Sequence, residues 1–149
     1  MTTSSMTRVQ DNTPDTLNRQ IEQTTQENVR RHAATEADID RRLRDLGREW
    51  DVERALETGA STFVLTGTVL AATVDRRWLA LPGIVSAFLL QHAIQGWCPP
   101  LPVFRWLGFR TRDEIARERY ALKALRGDFV GVPQSSSPAA AGLALDAAR

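Results

Sequence analysis

The chain has 149 residues, enough for one domain of ordinary size, and a formal net charge of +1. That balance excludes the broad positive field of a nucleic-acid binder, so no nucleic-acid partner is expected. The single cysteine, Cys98, excludes an internal disulfide and fits a reducing compartment.

The mean hydropathy is mildly polar, but it averages over a sharp segregation. No charged residue occurs from Thr58 to Val74 or from Trp78 to Phe104, and nearly all the charge lies between Arg19 and Glu57 and between Arg105 and Asp128. The N-terminal MTTSSMTRVQDNTPDT has no apolar core of a signal peptide, so membrane entry is expected to depend on an internal segment. Residues 1–38 are polar and read as largely disordered or marginally helical. Over residues 39–57, Ile39, Leu43, Leu46, Trp50 and Leu56 make one apolar stripe, predicting an amphipathic juxtamembrane helix that Gly47 weakens in the middle.

Two apolar runs follow, separated by Asp75, Arg76 and Arg77, so they must fold back on each other. The spacing predicts spans over about residues 58–74 and 78–97. From Trp78 to Trp97 a helix would rise roughly 29 Å, close to the thickness of a hydrocarbon core. Trp50, Trp78, Trp97 and Trp106 sit where interfacial anchors belong. Two helices apolar on every side need a further apolar layer if they are to be buried in a soluble bundle, and the rest of the chain offers only narrow stripes. Arginine and lysine are abundant before the first run and after the second, whereas the turn carries only Arg76 and Arg77. The positive-inside rule therefore places both termini in the cytoplasm.

Pro99, Pro100 and Pro102 are expected to end the second span. Thr111 and Glu114 form a capping-box pattern that opens a basic amphipathic helix over 111–127, stopped at Gly127. Ile115, Leu122 and Leu125 share its apolar face. That face suits either an anionic leaflet or packing on the N-terminal helix. Residues 128–149 read as a flexible tail.

Few residues offer chemistry. Gly67 with Ala71 and Gly83 with Ala87 are small-residue pairs, one in each span, suited to zipping the hairpin internally or to joining two copies as a homo-oligomer. Gln91, His92 and Gln95 lie a turn or two inside Trp97. They read as interhelical hydrogen-bonding groups, with Thr58, Ser61 or Thr62 as partners, or as a ligand, metal or proton-relay site. Cys98 is the one candidate reactive thiol, with Arg105 the nearest cation in sequence, yet a helix C-terminus disfavours a thiolate. No second cysteine or zinc spacing accompanies it, and no phosphate loop or nucleophile–base pair is present, so no catalytic residue, metal or cofactor is expected.

The two apolar runs followed by GWCPPLPVFRWLGF resemble the transmembrane domain of YgaP-like inner-membrane proteins, a bacterial domain family of unknown function. The matching residues are Gly96, Cys98 and Pro99, after the segment DVERALE at 51–57, and the resemblance covers about residues 51–110. Some members carry a fused rhodanese domain, which implies sulfur handling near the membrane. This chain has no such domain, so the resemblance implies that any sulfur role needs a separate sulfurtransferase partner. The expectation is an all-α chain: a two-span transmembrane helical hairpin in the bacterial inner membrane, flanked by cytoplasmic amphipathic helices, with membrane lipid as its surroundings. Its expected role is that of a non-catalytic structural or adaptor protein. The alternatives are a thiol-dependent accessory of persulfide handling acting through Cys98 and a soluble helical bundle.

Overall fold

The structure is a computed structural model that describes residues 7–133 and 138–148. Residues 1–6 of the expected disordered start, and residues 134–137 and Arg149 of the expected tail, lie outside the described residues. Among the described residues the fold is all-helical, without a strand. In chain order the helices are α1 (Arg8–Asp11), α2 (Asp15–His32), α3 (Glu36–Leu46), α4 (Val52–Thr73), a 3-10 turn (Arg76–Leu79), α5 (Ala80–Gln95), α6 (Leu101–Trp106), α7 (Arg112–Arg126) and α8 (Pro138–Ala148). They divide into two compact units, one formed by Met1–Ile21 with Trp50–Arg112 and the other by Glu22–Glu49 with Asp113–Arg149.

In the first unit, Asp51 accepts a 2.7 Å hydrogen bond from the Arg54 amide and so caps α4. The expected helix over 39–57 is therefore two helices. Gly47 closes α3, and Asp51 opens a new helix that takes the last charged flank residues into its first turns. At 1.5 Å per residue the 22 residues of α4 extend about 33 Å. Asp75 accepts from the Arg77 amide at 2.7 Å and starts the tight connection to α5.

The two long helices lie side by side and antiparallel, with Gly67 against Leu81 and Pro82 near the connection and Leu56 near Leu89 and His92 at the far end. A Cβ at Gly67 would come within 2.6 Å of the Pro82 ring, so the close approach of α4 to α5 requires a glycine there. Helix α5 stops at Gly96, which adopts φ +77°, rather than at the prolines. A Cβ at Gly96 would meet the Arg8 backbone oxygen at 2.8 Å. Pro99 and Pro100 instead lead into α6, where Pro102 occupies the first turn, whose amides have no intrahelical partner.

The core of this unit is Val9, Val52, Leu56, Cys98 and Leu101, with Phe104 and Phe109 packed edge to face at 5.3 Å. The N-terminal segment, expected to be largely disordered or marginally helical, forms α1 and α2 among the described residues. Val9 is buried in the core, and Thr13 and Asn18 bond the carbonyls of Val9 and Gln10.

In the second unit, Thr35 caps α3 by accepting from the Asp38 amide at 3.2 Å. Ile39 and Leu46 bury with Ile115 and Leu122 of α7, and Val29 and Leu43 pack against them. Of the two readings of α7, its apolar face is thus taken up by helix packing, while Leu125 is left exposed. Beneath that face Glu118 is fully buried and accepts from Arg42 Nε at 2.6 Å. The tail contains α8, whose alanine-rich sequence favours a helix and whose Ala147 carbonyl accepts from Lys123 Nζ at 3.1 Å.

Candidate functional site

Helices α4 and α5 carry their apolar side chains outward. Phe63, Leu65, Val69, Ile84, Leu90 and Ile94, with Leu79 of the 3-10 turn, are each more than half exposed. Two segments, Val52–Thr73 and Arg76–Gln95, are long and apolar enough to cross a membrane by length and composition. The expected anchors Trp50, Trp78, Trp97 and Trp106 are all exposed, and Trp50 is covered by the Arg54 guanidinium at 4.5 Å. Gly67 is buried in the contact between the two helices, whereas Gly83 and Ala87 lie on an open face and Ala71 is half-buried.

The expected hydrogen bonds from Gln91, His92 and Gln95 to Thr58, Ser61 or Thr62 do not form. The Thr62 hydroxyl turns back onto its own helix and donates to the Thr58 carbonyl at 2.8 Å. Such i−4 bonds recur at Thr66, Thr68 and Thr73, because a threonine in an apolar helix satisfies its hydroxyl most cheaply on the backbone. His92 is left 6% exposed, and neither ring nitrogen has a hydrogen-bond partner among the described residues. Gln91 is half-buried and Gln95 exposed. Only the backbone carbonyl of Gln95 is engaged, by Asn12 Nδ2 at 2.9 Å.

His92 stands between two cavities. The larger, about 280 Å³, is almost entirely apolar and is lined among others by Ala60, Phe63, Phe88, Phe104 and Cys98. The smaller, about 150 Å³, is lined by Arg8, Glu53 and Glu57. The two share Leu56, Leu89 and His92. Arg8 Nε and Glu53 Oε2 are also buried without a hydrogen-bond partner among the described residues. Four unsatisfied polar atoms therefore come from three side chains around one small space. Sequence spacing singles out His92 but not Arg8 or Glu53. They reach it only because α1 docks on the end of α5 and because α4 begins before the uncharged run.

Cys98 is free and 4% exposed, one of the apolar cluster rather than a surface thiol. Burial pushes its thiol up, against a smaller opposing effect of the Leu101 amide. Arg105, its nearest cation in sequence, is turned away. Its guanidinium donates to the Phe109 carbonyl at 3.1 Å and to Asn18 Oδ1 at 2.9 Å, tying α6 to α2. No group of three or more metal-ligating side chains comes together among the described residues.

These features define an all-helical chain with two long, apolar, outward-exposed helices and a histidine-centred cavity at one end. No family model, curated protein or solved structure matches it.

Proposed function

We propose that the chain is a small bacterial inner-membrane protein. In this reading α4 and α5 cross the bilayer as a helical hairpin, with both termini in the cytoplasm, and the chain serves as a non-catalytic structural or adaptor element. The observation that carries the reading is the outward apolar surface of the pair. Only 17% and 6% of the most apolar stretches of the two candidate spans are buried, where the core helix of a soluble bundle would be mostly covered. Each large apolar side chain left in water forgoes about 1.5–3 kcal/mol of burial free energy; lipid removes that penalty. The excess of arginine and lysine on both flanks supports the orientation. The resemblance to YgaP-like transmembrane domains enters as a further proposal in the same direction.

A thiol-dependent sulfur role through Cys98 draws no support from a buried, protonated thiol. The open Gly83 and Ala87 face of α5 supports pairing of two copies. Extraction of membranes at alkaline pH tests the placement: the protein should stay in the pellet, and release into the supernatant refutes it. For orientation, an Arg76→Cys variant in a Cys98→Ala background should react with an impermeant maleimide from the periplasm of intact cells.

A further inference from the structure

We propose that the paired cavity at His92 binds a hydroxylated aromatic ring that reaches it from the membrane. The inference goes beyond the structural role and rests on the membrane reading only for the ligand's route.

Three observations carry it. The first is the chemistry of the unsatisfied atoms. Arg8 Nε–H is a donor, Glu53 Oε2 an acceptor, and a neutral His92 ring offers one of each. A hydroxyl donates and accepts at one atom, so it can answer both kinds. A carbonyl answers only the donors, and a carboxylate brings a third negative charge beside Glu53 and Glu57.

The second observation is the neighbouring chamber. It is apolar, and the Phe63, Phe88 and Phe104 rings line it. Phenyl walls favour a flat ring, which they meet edge-on or offset-stacked. The third is size. An apolar cavity of about 150 Å³ takes up one benzene, and the chamber of about 280 Å³ has room for a two-ring body. His92 borders both spaces, so a ring in the larger one can present its hydroxyl to the smaller. The combination matches the general form of a small-molecule site, an apolar pocket with a few convergent polar groups.

The test uses the full chain in lipid nanodiscs with ring-labelled histidine, titrated with 2-naphthol. His92 and His32 are the only histidines, and His32 bonds the Asn28 carbonyl of its own helix at 2.8 Å, so it serves as an internal control. The His92 ring resonances should shift saturably while those of His32 stay. Naphthalene, the same body without the hydroxyl, should bind at least tenfold more weakly by ligand fluorescence, because it leaves the polar atoms unanswered. Ala60→Phe, which fills the larger chamber, should abolish binding of both. His92→Leu should bring the two affinities within about twofold of each other. A naphthoquinol with an isoprenoid tail that displaces 2-naphthol assigns the ligand to the membrane quinols, and failure to displace assigns it to free phenols.

The proposal is overturned if the His92 resonances do not move, if naphthalene binds as well as 2-naphthol, or if lipid acyl chains contact Phe63 and Phe88 and 2-naphthol does not displace them. A chain released by alkaline extraction that still binds 2-naphthol in buffer would remove the membrane placement and leave the site standing.

Discussion

Arg8 Nη1 donates a 2.7 Å hydrogen bond to the backbone oxygen of Ala93, 85 residues further along the chain. One turn on from Arg8, Asn12 does the same for Gln95 at 2.9 Å. The last carbonyls of a helix have no partner within it, and Arg8 of α1 and its C-cap Asn12 donate to two of those of α5. The N-terminal segment thus closes the end of the second long helix at the cavity. Replacing both Arg8 and Asn12 by Ala should destabilise the chain by about 1–3 kcal/mol. Hydrogen exchange should show the loss first at amides of the last turn of α5, and unchanged exchange there would refute the capping role.

Gly67 and Gly83 should respond differently to the same change. A methyl group at Gly67 meets the Pro82 ring, whereas one at Gly83 meets nothing within 4 Å. Gly67→Ala should cost about 1–3 kcal/mol by overpacking. Gly83→Ala should be neutral or stabilise by up to about 1 kcal/mol. Unfolding in mixed detergent micelles compares them. If the Gly83 face joins two copies, as proposed, crosslinking of Gly83→Leu should lose the dimer band seen for the unaltered chain.

Cys98 should be slow to alkylate in the folded chain and quick once the chain is unfolded in denaturant. Its folded-state pKa is raised above the unfolded one, so stability is unaffected at neutral pH and falls as pH rises through the thiol's ordinary range and beyond. Cys98→Ala should flatten that alkaline loss, measured as midpoint against pH. Alkylation at equal rates in both states would sink the buried assignment.

The Arg42 and Glu118 pair holds the second unit internally, since Glu118 has no solvent contact. Arg42→Met should destabilise by about 3 kcal/mol, because it withdraws a charge partner from a buried carboxylate. Glu118→Gln in the same background should recover part of the loss. Chemical unfolding of the full chain measures both, and an effect below about 0.5 kcal/mol for Arg42→Met would make the pair a surface ornament.

Arg126 ends α7 by bonding Asp128 through two nitrogens, at 2.6 and 2.7 Å, and by pairing with Asp40. The guanidinium holds the Asp128 carboxyl below its usual range. A depressed carboxylate contributes stability above its unfolded pKa and loses it as pH falls through the folded value. Acid should therefore loosen this end of α7 only below the ordinary aspartate range, and Asp128→Asn should remove that acid dependence. The Asp128 carboxyl resonance, titrated from pH 6 downward, checks the order of events.

Much of the architecture could be read from residue order. Two uncharged runs long enough for helices, with only three polar residues between them, must lie next to each other, because so short a connection leaves no other route. The stripe of Ile39, Leu43 and Leu46 faces a core for the same local reason: helical period sorts side chains to one side. Boundaries were less legible. Asp51 as a cap and Gly96 as a stop are single-residue signals, weaker in the sequence than the neighbouring uncharged run and prolines.

The candidate site shows the opposite balance. His92 was visible as an imidazole in an apolar helix, and Cys98 as the lone thiol beside it. Whether either is reactive, paired or buried depends on what the chain brings to it from elsewhere, and no local pattern carries that. Thr62 spends its hydroxyl on its own backbone, so His92 is left without the partner expected from its place in the sequence. Arg8 and Glu53 arrive from helices remote in sequence, and Arg105 leaves Cys98 for Asn18. Residue order therefore settles where apolar surface must go, since burial follows from side-chain type and helical period. Packing alone decides which polar atoms meet, since hydrogen bonds are short-ranged and their partners here lie tens of residues apart.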